Sequence, residues 1–154
     1  MKRFTFALEK VLELRKYYEQ EAKIELGRAI GILTEIENNI KTNAVLRNQA
    51  ASERFSAIVV IEDSGVVKNG GAISMFDWDN YILRLEQEAQ RLAEEAVKAE
   101  AVVEEKRNIY LDASRELKVM EKLKEKRQKE YREEMFVAEA NERDDTWRPR
   151  AVDA

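Results

Sequence analysis

An uninterrupted heptad pattern in the second half of the chain constrains the fold more than any other feature. Steps of three and four residues land on mostly apolar side chains, and the positions between them are nearly all charged or Gln. The run comprises Ile82, Leu85, Ala89, Leu92, Ala96, Ala99, Val103, Lys106, Tyr110, Ala113, Leu117, Met120, Lys124, Arg127 and Tyr131. A stripe this narrow is typical of a coiled-coil seam. It predicts one helix of roughly 90 Å, at 1.5 Å per residue.

Such a helix cannot bury its stripe against itself, and the first third of the chain carries a matching stripe. Its apolar residues recur at helical spacing, at Leu8, Leu12, Ala22, Leu26, Ala29, Leu33, Ile36 and Ile40. After Ile40 the stripe thins, and we expect the helix to fray there. Two long helices joined by a short connection run antiparallel. The expected fold is therefore all-α, a long antiparallel two-helix coiled-coil hairpin that forms a single domain over residues 1–154.

Capping and turn signals predict the boundaries of the two helices. Thr5 is a candidate N-cap for the first helix, and Ser74 with Asp77 resembles a capping box for the second. The β-branched run from Ala57 to Ile61 favours a short strand or hairpin between them. This connection either packs on the end of the hairpin or forms a docking tip. The expected segments are helix 1 over 6–55, the connection over 57–73, helix 2 over 75–140 and a frayed tail over 141–154.

These boundaries also predict the register of the hairpin. The numbers of facing residues should add to roughly 130 in an antiparallel pair with this turn. Ala29 then faces Val103, and Leu12 faces Met120. Small residues fall opposite large ones, as interdigitated packing requires. Residues 126–140 should extend past the N-terminus as an unpaired helix.

The composition argues against several classes of function. The chain has no His and no Cys, so it lacks the commonest general base, the commonest transition-metal ligand and thiol chemistry. We expect no enzyme, no cofactor, no metal site and no small-molecule substrate. The net charge of −4 gives no bias toward nucleic acid, and no apolar run is long enough to span a membrane.

Two surface features are candidates for partner binding. A basic stripe runs along one face of the second helix, at Arg115, Lys118, Lys122, Lys126 and Lys129. It is either a solvated face balanced by neighbouring Glu residues or a surface for an acidic partner. Phe76 and Trp78 either clamp the connection or anchor a partner. Tyr131 and Met135 continue the apolar stripe where no facing residue is expected, which often marks a binding site.

The opening of the chain resembles that of the FliJ family, the small flagellar type III export stalk proteins. The matching residues are Phe4, Phe6, Leu8, Val11, Leu12 and Arg15, followed by Glu19 and Ala22. A later run is similar to the closing segment of the family, at Glu121, Leu123, Lys126, Tyr131, Glu134 and Glu139. The resemblance implies a coiled-coil hairpin similar to the central stalk of rotary ATPases. It also implies a role in flagellum biogenesis and protein export, and through them in chemotaxis.

The resemblance implies three partners: the hexameric export ATPase, the cytoplasmic domain of the export gate, and export chaperones. Carried over by position, the ATPase-binding residues are Phe4, Phe6, Leu8, Arg15, Lys122, Lys126 and Tyr131. The gate-binding residues are Tyr81, Leu85, Glu88, Ala89 and Leu92. The implied location is the cytoplasm, peripherally on the inner face of the cell membrane. Two alternatives remain open, the stalk of a virulence-type injectisome and a generic self-associating coiled-coil scaffold.

Overall fold

The computed structural model describes residues 2–64 and 69–152, with side chains for residues 2–58 and 75–147. The chain forms two α-helices, α1 over Glu9–Ser64 and α2 over Asn69–Val152. They pack against each other as an all-α helical hairpin, and no strand occurs among the described residues. The predicted fold class is confirmed.

The chain divides into two compact units, each built from a stretch of α1 and a stretch of α2. The first unit comprises Met1–Ile24 with Asn108–Ala154, and the second comprises Glu25–Arg107. Both units draw on the same two helices. The assignment of one coiled-coil domain to residues 1–154 stays a prediction.

The first helix begins later than its sequence suggests. The Glu9 amide donates to the Phe6 carbonyl at 3.1 Å, and the Leu12 amide donates to the Leu8 carbonyl at 2.9 Å. The Thr5 hydroxyl donates to the Arg3 carbonyl and caps no helix. The prediction of Thr5 as N-cap was therefore wrong. Residues 2–8, which we call the N-terminal segment, are non-helical and lead into α1.

The predicted connection over residues 57–73 was too long. Helix α1 continues through Ala57–Ile61 to Ser64, and α2 begins at Asn69, ahead of the proposed capping box at Ser74. The β-branched run is nevertheless part of α1, and strand propensity depends strongly on context. Arg54 forms an ion pair with Asp79 at 2.7 Å. Residues 65–68, the rest of that prediction, lie outside the described residues.

The predicted frayed tail was also wrong for residues 141–152, which continue α2. Residues 141–145 are Asn-Glu-Arg-Asp-Asp, of which Glu and Arg are good helix formers and Asn and Asp are weak ones, so propensity alone does not predict this extension. The Thr146 hydroxyl donates to the Arg143 carbonyl at 2.9 Å, within the helix. The sequence signals for a tail were the charged run 142–145 and, after it, Trp147 and Pro149; the charged run is compatible with an exposed helix.

The seam between the helices follows the predicted stripes. Every α2 stripe position from Ile82 to Tyr131 is buried or half-buried except Arg127. The buried apolar residues are Phe6, Leu12 and Ala22 in the first unit, and Ala29, Ala50, Leu92, Ala99 and Val103 in the second. The α1 stripe does not end at Ile40, because Asn43, Arg47, Ala50 and Arg54 continue it. The predicted fraying after Ile40 was wrong.

Contacts across the seam confirm the predicted register in both units. In the first unit Arg15 pairs with Glu116, and Glu9 pairs with Lys124 at 2.9 Å. In the second unit the Asn43 side-chain amide donates to the Leu85 carbonyl at 3.1 Å. The residue numbers of these pairs add to about 130, as expected for antiparallel helices joined at this point in the chain.

Candidate partner-binding surfaces

The N-terminal segment lies against α2 and forms a groove at the paired termini. The groove has a volume of about 330 Å³ and is lined by Phe4, Thr5, Phe6, Ala7, Leu8, Leu123, Arg127, Glu130, Tyr131 and Glu134. The rings of Phe4 and Tyr131 are tilted, with centroids 5.5 Å apart. The Tyr131 hydroxyl donates to the Lys2 carbonyl. We call these residues, with Lys122 and Lys126 on the same stretch of α2, the terminal surface.

This geometry corrects the prediction that Tyr131 lacks a partner. Residues 2–8 are non-helical, and they place the Lys2 carbonyl and the Phe4 ring against Tyr131. They cover α2 as far as Glu134, so the unpaired part of α2 begins about eight residues later than predicted. Of the described residues beyond it, Phe136 and Trp147 are 73 % and 74 % exposed.

An ion pair that sequence reasoning did not single out fixes the base of this surface. Lys124 lies in the seam, half-buried, and its ammonium contacts the Glu9 carboxylate at 2.9 Å. A lysine in the seam stripe was the available signal, and the register rule would have pointed to Phe6, within one helical turn of Glu9. Arg15, a predicted ATPase-binding residue, pairs with Glu116, so its guanidinium is committed within the hairpin.

The basic stripe is neutralised at its ends and open in its middle. Arg115 pairs with Asp112 at 3.6 Å, and Lys129 with Glu133 at 4.0 Å. Lys118, Lys122 and Lys126 are exposed, and none of them pairs with a carboxylate in the described part of the chain. The structure thus brings together Phe4, Phe6, Leu8 and Tyr131, with Lys122 and Lys126 exposed on the same stretch of α2.

A second groove, in the other unit, lies between α1 and the start of α2. It has a volume of about 530 Å³ and is lined by Leu46, Gln49, Ala50, Glu53, Asp77, Trp78 and Tyr81. Trp78 and Tyr81 meet edge to face, with ring centroids 6.1 Å apart. We call it the aromatic groove. Trp78 is half-buried beside α1, and Phe76 is exposed and does not line the groove.

The five predicted gate-binding residues separate into two groups. Leu85, Ala89 and Leu92 are seam residues that pack toward α1, and Leu92 is buried. Tyr81 and Glu88 keep part of their side chains in solvent, and only Tyr81 lines the aromatic groove. Sequence reasoning missed Leu46 and Ala50, the α1 side of that groove. The register rule, applied to Tyr81, would have found them.

Glu88 is held by a charged neighbour on its own helix. The Arg91 guanidinium donates to both Glu88 oxygens and to Glu95 at 3.1 Å. The hydrogen bond from Arg91 lowers the pKa of Glu88, the partial loss of solvent opposes it, and the Arg91 charge adds to the lowering. Glu88 therefore stays ionised at neutral pH, as one member of a compact charge cluster on α2.

The arrangement of acidic side chains and the hydropathy of the helices bear on two other classes of function. No group of three or more acidic side chains in the described part of the chain is arranged to hold a metal ion. No helix in the same part is both long enough and apolar enough to cross a membrane.

The model of one protein family, described as the flagellar FliJ protein, matches residues 4–148. The chain belongs to the FliJ family. The match covers both helices and nearly all of both units, and it confirms the resemblance seen in the first residues of the sequence. No curated protein and no solved structure matches this FliJ-family chain.

Proposed function

We propose that this FliJ-family chain is a non-enzymatic stalk and adaptor of the flagellar type III export apparatus. Family membership supports a role in flagellar export. The observation that carries the finer proposal is the terminal surface. It combines the aromatic side chains of the terminal groove with lysines that pair with no carboxylate in the described residues. Such a surface suits a protein partner, because aromatic residues are frequent hot spots and complementary charges steer association.

The terminal surface is the proposed contact with the hexameric export ATPase. Lys122 and Lys126 supply long-range attraction to an acidic patch, and Tyr131 with Phe4 supplies apolar contact area. Arg15 contributes indirectly, because its pair with Glu116 holds α1 and α2 in register beside the surface. Leu8 remains partly exposed at the edge of the groove and is available to a partner.

The aromatic groove is the proposed contact with the cytoplasmic domain of the export gate. Tyr81 and Trp78 form its aromatic side, and Leu46 with Ala50 forms its aliphatic side. Leu85, Ala89 and Leu92 position this surface by packing in the seam. Export chaperones are further proposed partners, and the proposed location is the cytoplasmic face of the membrane, where these partners assemble.

Catalysis by this chain is not part of the proposal. The grooves described here are open clefts on a pair of helices, whereas enzyme sites enclose most of their substrate. The family match is to a flagellar protein, and it favours the flagellar system over a virulence-type injectisome.

The test is binding to the cognate export ATPase together with its rate of ATP hydrolysis. We expect the wild-type chain to bind and to raise ATPase turnover. The double variant Lys122→Glu with Lys126→Glu should bind at least about tenfold more weakly and lose most of the salt dependence. The matched control is Lys23→Glu with Lys41→Glu, which makes the same charge change at exposed α1 positions. Absence of binding and of stimulation by the wild type would refute the proposal.

A further inference from the structure

A third groove, in the second unit, is assigned no role by the export proposal. It has a volume of about 320 Å³ and lies on one side of the seam. Its lining residues are Ala29, Ile32, Ile36, Glu95, Lys98, Ala99 and Val102. We call it the lateral groove. None of its residues belongs to the terminal surface or to the aromatic groove.

The lateral groove carries both a protrusion and a hollow. Ile32 is 57 % exposed, and Val102 is also well exposed, so both side chains stand out from the helices. Ala29 and Ala99 are buried beside them and form a floor of small side chains. Large apolar residues next to a small-residue floor are the two halves of interdigitated packing, present here on one patch.

The edge of this groove likewise carries both members of a complementary pair, here an acidic and a basic side chain. Glu95 and Lys98 lie three residues apart on α2, and both line the groove. Lys98 pairs with no carboxylate in the described residues, whereas Glu95 accepts a hydrogen bond from Arg91. An acid and a base on one patch complement the same patch on a second molecule turned by a two-fold rotation.

The opposite flank of the seam differs in chemistry. The flanking α2 positions there, at heptad spacing, are Glu86, Ala93, Glu100 and Arg107; all four are exposed and three are charged. A groove lined by exposed apolar side chains marks this flank for association. A two-fold interface requires a self-complementary patch: if residue i of one copy contacts residue j of the other, then j of the first contacts i of the second.

We propose that the lateral groove binds a second copy of this chain, forming a two-fold dimer. In it Ile32 of each copy packs on the Ala29 and Ala99 floor of the other, and Lys98 of each copy pairs with Glu95 of the other. The proposal does not depend on the export role, because it uses neither of the surfaces assigned to export partners.

Sedimentation velocity of the full chain tests this directly. Over a range of about 1 to 300 μM, we expect reversible, concentration-dependent conversion of monomer to dimer. Ile32→Asp should raise the dimer dissociation constant by about tenfold or more, because it places a charge in the apolar contact. Val97→Asp is the matched control, since Val97 is exposed on α2 and does not line the groove. Circular dichroism checks that both variants keep their helices.

A charge exchange tests the pairing itself. Lys98→Glu alone should weaken the dimer by about threefold to fivefold, the range for an exposed ion pair. Adding Glu95→Lys should restore most of that loss at low salt, because the two charges are then exchanged in both copies. A monomer at every concentration would overturn the proposal. So would a dimer that Ile32→Asp leaves intact, or that Val97→Asp disrupts equally.

Discussion

Leu12 shows how strongly a single residue of the seam is committed to packing. Its side chain is 1 % exposed, whereas Leu14, two residues on, is 47 % exposed on the same helix. We expect Leu12→Ala to lower the free energy of unfolding by about 2–5 kcal/mol. Leu14→Ala should lower it by less than about 1 kcal/mol, because little area leaves the core. Urea unfolding followed by circular dichroism measures the free energy of unfolding of both variants. Equal losses would contradict the placement of Leu12, and not Leu14, in the seam.

Asn43 is the one polar residue fully inside the described part of the seam. It is 5 % exposed, and its Oδ1 accepts no hydrogen bond in the described part of the chain. Replacing it with Leu removes that unsatisfied atom. We therefore expect Asn43→Leu to raise the free energy of unfolding by about 1 kcal/mol and Asn43→Asp to lower it. Asn39→Leu, at an exposed position of α1, is the control and should change little. Destabilisation by Asn43→Leu would mean that the hydrogen bond from the Asn43 amide to the Leu85 carbonyl contributes to stability.

Glu88 provides a test of the charge cluster on α2. Because hydrogen bonding to Arg91 lowers the pKa of Glu88, the bond contributes stability above the ordinary pKa of a glutamate. That contribution is lost as the pH falls through the lowered pKa. NMR titration of the side-chain carboxyl should show the pKa of Glu88 rising in Arg91→Gln. The same titration of Glu88 in Arg28→Gln, where another i,i+3 pair is removed, should show no change.

At the scale of the helices, the α1 interior contains two glycines that no packing explains. A Cβ at Gly27 or at Gly31 would meet no atom within 4 Å, so each position accepts a larger residue. We expect Gly27→Ala and Gly31→Ala to stabilise α1 by roughly 1 kcal/mol each, because glycine is a poor helix former. The two effects should be close to additive in thermal unfolding. A loss of stability in either variant would show that the glycine meets a partner or a strained backbone.

The sequence predicted the seam of each helix well, because heptad spacing depends only on local periodicity. The α2 stripe from Ile82 to Tyr131 and the register across it were both predicted. The ends of the helices were not predicted correctly. The Ala57–Ile61 run favours an extended strand by propensity, yet it lies within α1. The N-terminal segment was missed because aromatic contacts, rather than any periodic pattern, place Phe4 on Tyr131.

The candidate surfaces were predictable in part for the same reason. Residues within one helix, such as Lys122 and Lys126, can be grouped from spacing alone. Grooves need residues from both helices, and the α1 side of the aromatic groove follows only once the register is known. Assigning Leu85, Ala89 and Leu92 to the seam also requires knowing which face of α2 contacts α1. Exposure, and not sequence position, distinguishes Tyr81 from these three residues.

At the scale of the whole molecule, the two units carry different surfaces. The first unit holds the terminal surface, and the second holds the aromatic and lateral grooves. If these surfaces bind different partners, substitutions in one unit should leave unchanged the affinity of the other unit for its own partner. Tyr81→Ala with Leu46→Ala should therefore weaken binding to the export gate domain and leave ATPase binding intact. Equal loss of both interactions would indicate one shared surface.

Site-specific photocrosslinking to the export ATPase tests the central claim most directly. A photoreactive phenylalanine analogue at Lys126 or at Leu8 should crosslink the full chain to the ATPase. The same analogue at the exposed position Phe76, in the other unit, should not. Crosslinking from Phe76 alone, or from none of the three positions when binding is observed, would contradict the assignment of the terminal surface.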